Sequence, residues 1–336
     1  MLRATVFSLE VPADFVLARD ACSYGYFLLA PSRWEPDSWT LTQSLDLGDS
    51  GGPAVCVRIS QAGPRGAAHT RSMPRLRGRP LRVVCDVALS PRARAAAIAQ
   101  ITRILRLDEG RDVARAFHRV DPRWKRAGHC RLCRSATLFE DIIKTVTSCN
   151  VTWTGTVRMN RRLCETLGRR TASGTFAFPT PAALARQRPA FLRGRCGVGY
   201  RDKRIVEIAR LFARDKAGQA QLEDPATTDA QVHERLLELP GIGPYAAANI
   251  MQLLGRYGHL PLDSESVRHG RTVLGFKGSA ARVMKQVGRH FAPFGQHMFR
   301  AYWFELHEFY RTKAGEAHTW DSQKTERTFT AANLAG

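Results

Sequence analysis

The chain has no cysteine beyond Cys196, and only Cys130 and Cys133, in "HCRLC", stand at metal-ligand spacing. A zinc or iron–sulfur site needs more ligands than that pair supplies. His129 could be a third, yet two free thiols on a loop before a helix account for the motif without metal. The eight scattered cysteines make no disulfide framework, so a reducing, intracellular compartment is expected. No window approaches 18 uncharged apolar residues, and no membrane span is expected. The first twenty residues carry Arg3, Glu10 and Asp14, which interrupt any signal-peptide core. Acidic residues are scarce, 30 against 51 basic ones, for a net charge of +21. That excess attracts polyanions, of which nucleic acid is the commonest large one; a merely solvated basic surface is the alternative.

What is present is a chain of 336 residues, 44% apolar, long enough for two domains. Residues 1 to about 90 read as an antiparallel β domain. "ATVFSLEV", "YGYFLLA", "SWTLTQSLDL", "AVCVRIS" and "LRVVCDVAL" are short, rich in β-branched and aromatic residues, and bounded by turn formers. A basic stretch, 63–80, has no periodicity. From about 91 to 313 the apolar spacing is three and four, the mark of helices with short connections. "TLFEDIIKTVTSCNVTWTGTVRMNRRLCETLG" reads as two helices joined at "SCNVTW", with Gly168 closing the second. Residues 314–336 read as a polar tail. The expected class is α+β: an N-terminal antiparallel β domain, then an all-α core.

Within that core, "LPGIGPYAAANI" places two glycines and two prolines between helical segments. Pro240 ends the first helix, Gly241 and Gly243 admit unusual backbone torsions, and Pro244 suits the first turn of the next. The outward amides of that turn form a phosphate site; a plain tight turn between two helices is the other reading. Farther on, Asp263 opens "DSESVRHG", which by itself is ordinary N-cap grammar.

Taken in order, "LPGIGPYAAANI…LPLDSESV", the helices of 137–168, "GTFAFPTPAALA", "GVGYRDKRIVEIA" and "FAPFGQHMFRAYWFEL" resemble the helix–hairpin–helix/GPD superfamily of DNA glycosylases. The match spans roughly 105 to 311, and its nearest branches are the alkylpurine (3-methyladenine) and 8-oxoguanine glycosylases. More weakly, the β-rich start resembles the N-terminal domain those branches share. The resemblance implies that Asp263 is the catalytic aspartate. It implies that Gly241, Ile242 and Gly243, with the amides around Tyr245, grip DNA phosphate. Asn150 and Val151 would fill the gap left by an extruded base, and Arg201 and Arg268 would add DNA contacts. Trp303 would stack on the extruded base, with Tyr245, Asn249 and Trp153 completing its pocket. For Trp153 a core position is the competing reading.

Two departures narrow the expectation. Tyr245 stands where bifunctional members carry a lysine, and no lysine occurs from 217 to 276. The iron–sulfur branch is excluded because its C-terminal cysteines are missing. The implied protein is a monofunctional glycosylase needing no cofactor, a monomer whose partner is double-stranded DNA with a damaged base. It would work in the cytoplasm or nucleoid of a bacterium, or in the nucleus or an organelle of a eukaryote. A Tyr/Trp pocket favours a cationic alkylated purine through cation–π attraction, worth about 0.5–2 kcal/mol. Asn249 would instead suit a neutral oxidised or deaminated base. The alternatives are a glycosylase/lyase for oxidised guanine and an inactive damaged-DNA-binding protein, against which Asp263 argues.

Overall fold

Strands β1 (Val6–Leu9), β2 (Ser32–Glu35), β3 (Thr40–Leu45), β4 (Val55–Gln61) and β5 (Leu81–Cys85) form one antiparallel sheet in the order β1-β5-β4-β3-β2. The computed structural model describes residues 4–48, 54–61 and 73–321. Most of the basic stretch 63–80 and nearly all of 321–336 therefore lie outside the described residues. In β5 the alternation is strict: Leu81, Val83 and Cys85 are buried, while Arg82 faces out. Register pairs Ile59 with Val83 and Leu41 with Ile59, so the apolar residues of three strands share one face.

The sequence reading needs three corrections here. "YGYFLLA" is not a strand: Gly25–Leu28 is a 3₁₀ turn, with Tyr26, Phe27 and Leu28 all buried. Residues 26–29 are buried in succession, so the two-faced pattern of a strand does not apply. Strand β2, which the pattern missed, is an edge strand pairing only with β3. Ala317 and Trp320 are not part of a solvated tail; both are buried, and Trp320 stacks on Phe27 at 6.4 Å.

Helices fill the rest, and short polar caps start them. Ser90, Thr137, Thr152, Thr180, Thr228 and Ser279 each accept an amide of the helix that follows. The helices Leu138–Ser148 and Trp153–Leu167 meet at "CNVT", where Asn150 has φ +50°. Gly168 ends the second without a left-handed turn. A Cβ there would lie 1.9 Å from the Ala177 carbonyl oxygen, so close packing is what requires glycine.

Two apolar clusters form the core. One unites the sheet, the helix Pro91–Leu105, and the helices Ser264–Thr272, Ala280–Phe291 and Met298–Ala314. The other lies among the helices between Leu138 and Met251. Among the described residues, no helix is long and apolar enough to cross a membrane.

Candidate active site

A cavity of about 500 Å³ opens where the two clusters meet, and residues from both line it. Helix Pro244–Leu253 brings Tyr245 and Asn249 to it, one turn apart on the same face. Asp263 enters as N-cap of the helix Ser264–Thr272. Its Oδ1 accepts the amides of Glu265 (2.9 Å) and Ser266 (3.0 Å), and its own amide donates to Ser266 Oγ (2.9 Å). The capping role and the place in the cavity therefore coexist. Burial pushes the Asp263 carboxyl up to about 6, against the pull of the amides it accepts. The Tyr245 hydroxyl lies within reach of this carboxylate and favours its ionised form. Burial, reinforced by the Asp263 charge, holds that hydroxyl well above its ordinary range, so Tyr245 stays a neutral donor.

The walls are aromatic. Trp303 packs on Tyr24 (4.7 Å between ring centroids) and lies parallel to Phe299 at 6.1 Å; its indole donates to the Ser23 carbonyl at 2.7 Å. Trp153 lines the cavity as well and also packs against the first apolar cluster, so the pocket and core positions coexist. Its ring lies so close to the backbone of Gly25 that a Cβ there would sit 3.1 Å from it. Asn249 is committed to the protein more fully than the sequence suggests. Its amide oxygen accepts from Tyr24 Oη (2.7 Å), and its NH₂ donates to Thr145 Oγ1 (3.1 Å). Sequence reasoning missed Tyr24, Tyr26, Phe299, Tyr302 and His307, all in the wall. For the last helix the spacing 299, 302, 303, 306 and 307 was an available signal, since it marks one face.

The hairpin sits on the same helix start as Tyr245. Gly241 has φ +74°, the left-handed region that favours glycine. Gly243 differs from the expectation: its φ is −98°, and a Cβ there would meet nothing within 4 Å. What its glycine does provide is an uncapped helix start, because no side chain covers the first-turn amides. Ile242 buries its side chain and spends its amide on the Leu239 carbonyl (3.0 Å), so it is not itself a phosphate donor. Val151 is exposed beside the cavity mouth, next to Asn150.

Of the two arginines expected at the DNA surface, Arg201 is placed otherwise and Arg268 is half-buried. Arg201 is buried and donates to the carbonyls of Val146 (3.1 Å), Asn150 (3.2 Å) and Cys149. It holds the Asn150 loop from inside. Arg268 pairs with Glu265, donates to Tyr310 Oη (3.3 Å) and lies over the Phe309 and Tyr310 rings. Part of its guanidinium is thereby engaged within the protein. Cys130 and Cys133 are free and buried, and burial raises both thiols to about 11. His129, half-buried, is driven down to about 3 by desolvation and is neutral near pH 7.

The chain matches no family model and no curated protein. Its fold does match solved structures. A 3-methyladenine DNA glycosylase from Archaeoglobus fulgidus aligns at TM-score 0.65 and 19% identity, covering 92% of this chain and 99% of that one. The 8-oxoguanine glycosylase/lyase of Clostridium acetobutylicum in its apo form aligns at 0.59 and 14%, covering 84% and 93%. In complex with double-stranded DNA containing cytosine opposite 8-oxoG, that protein aligns at 0.59 and 14%, covering 87% and 93%. At these identities the likeness is one of fold, and the chain has the α+β fold of these glycosylases.

Proposed function

We propose that this chain, given that fold, is a DNA glycosylase that extrudes a damaged base and hydrolyses its N-glycosidic bond. The observation that carries the reading is Asp263, a carboxyl inside an aromatic cavity beside an uncapped helix start. A base within a duplex is out of reach, so extrusion is required, at a cost of a few kcal/mol of stacking. Gly241, Gly243 and the first-turn amides would hold a phosphate next to the damage. Asn150 and Val151 would fill the gap in the duplex, on a loop that Arg201 fixes from behind. Trp303, Tyr245 and Trp153 would enclose the extruded base.

Breaking the bond builds positive charge on the sugar. Ionised Asp263 stabilises that charge and orients or deprotonates the attacking water. Among the described residues, no lysine lines the cavity to replace the water. Lys144 is fully buried and paired with Glu140 at 2.6 Å, and Lys277 is exposed and outside the cavity wall. The reaction therefore leaves an intact strand with an abasic site, by a monomer that needs no cofactor. The Tyr/Trp wall suits a cationic alkylated purine best. Asn249, with both ends of its amide engaged, has less left to offer a neutral lesion.

The test is single-turnover excision from a panel of duplexes, each with one lesion, followed by alkali. Alkylated purines should give alkali-dependent breaks, and borohydride present during turnover should trap no adduct. Asp263→Asn should bind the lesion and excise orders of magnitude more slowly, because Asn caps a helix as well as Asp does. Excision by the parent should rise with pH through about 6, where the carboxyl ionises. A variant within a few-fold of the parent would reduce Asp263 to a helix cap and remove the proposal.

A further inference from the structure

Two polar atoms in the cavity wall have no partner in the protein. One is the indole N–H of Trp153, at the start of its helix. The other is Nε2 of His307, on the C-terminal helix one turn beyond Trp303. Buried polar groups are normally paired, and an unpaired one is costly until something fills it. Two other polar side chains of the wall are already engaged, Asn249 with Tyr24 and Thr145 and the Trp303 indole with Ser23.

The character of His307 follows from its surroundings. The residue is 8% exposed, and its ring lies against the backbone of Cys22, which favours an N–H on the side that faces it. Burial lowers its pKa to about 4, so the ring is neutral near pH 7. A neutral imidazole has one N–H; because Nε2 has no partner, the contact with the Cys22 backbone falls to Nδ1, and with its N–H there Nε2 is a bare acceptor. The nearest rings do not serve it. His129, at 6.0 Å, is neutral too, and the Trp320 indole donates to the carbonyls of Ala314 (2.9 Å) and Gly315 (3.1 Å).

We propose that His307 and Trp153 determine which bases the cavity accepts. His307 Nε2 accepts a hydrogen bond from an exocyclic amino group on the base, and the Trp153 indole donates to a ring nitrogen or carbonyl of the same base. The substrate class is then a damaged base that keeps an amino group. Identification of the ligand as an extruded base rests on the glycosylase reading; the donor and acceptor in the wall do not.

The test uses the intact protein and two free ligands, 9-methyladenine and its dimethylamino analogue, which has the same ring and no N–H. Affinity is read by tryptophan fluorescence or calorimetry. The parent should bind 9-methyladenine about tenfold more tightly, the worth of one hydrogen bond in a desolvated site. His307→Phe should bring the two ligands within about twofold of each other, whereas His307→Gln, which still offers an acceptor, should restore the preference. Trp153→Phe should weaken both alike. Equal binding by the parent, no binding of either ligand, or a preference that survives His307→Phe overturns the proposal; the last would mean the extra methyl groups are excluded by bulk alone. A parent that discriminates between the ligands but excises no base keeps this inference and removes the glycosylase reading. One that excises without discriminating does the reverse.

Discussion

Oδ1 of Asp263 accepts two amides of the helix it starts, while burial drives the carboxyl up to about 6 from an ordinary 3.8. The folded chain therefore keeps this proton between pH about 4 and 6, where the unfolded chain has released it. Stability contributed by the protonated form is full below about 4, falls as pH rises to about 6, and is lost above that. Asparagine carries no such proton and caps equally well. Asp263→Asn should therefore be more stable than the parent at pH 7.5 by roughly 2–3 kcal/mol. The gap should close as pH is lowered from 6 to 4, measured by urea unfolding at each pH. A variant less stable at pH 7.5 would show that the carboxylate is worth more as a cap than its burial costs. In the expected case, the residue suited to the chemistry is not the one best suited to the fold.

At the scale of elements, the hairpin gives a test that separates binding from folding. Gly243 is an N-cap with ordinary torsions and open space around it, so Asp fits there and would even cap the helix. Gly243→Asp should fold at least as well as the parent, yet lose stable duplex complexes in gel shifts, because its charge opposes the phosphate. Undiminished binding would mean that DNA does not approach this turn. The hairpin was legible in the sequence because its determinants are local: a proline, a left-handed glycine and a second proline at N1. Six of the helices were legible for the same reason, each carrying its own Ser or Thr cap. The segment around Tyr24 was not. Its aromatic run looks like a strand, but its conformation is set by partners such as Asn249, 225 residues away. Arg201 was misplaced on similar grounds, since nothing in "GYRDK" says that its guanidinium turns inward to the carbonyls of another loop. Asp263 could be picked out because a motif surrounds it; His307 could not, because only the folded wall shows that its Nε2 is unpaired.

Over the whole molecule, the sheet does not stand apart from the helices. Tyr24, Tyr26 and Phe27 follow the first strand, and they pack in one cluster with Phe299, Leu306 and Trp320 near the other end of the described chain. That closure makes the cavity wall from segments nearly 300 residues apart, so the shape of the pocket depends on the β part being folded. The charge acts on a different range. A net +21 is spread along the chain, and Arg204, which lies against Gly241 at the hairpin, is one place where it meets the expected path of DNA. Phosphate neutralisation releases counterions, so affinity for undamaged duplex should fall steeply with salt. If about four phosphates are neutralised, raising salt from about 50 to 200 mM should weaken binding roughly a hundredfold. Because this term carries no information about bases, the preference for a lesion-bearing duplex over an undamaged one should change little across the same range. Fluorescence anisotropy with paired duplexes measures both quantities at once. A flat salt response would mean that the excess of arginine is only a solvated surface. A preference that collapsed along with the affinity would mean that the cavity plays little part in choosing the lesion.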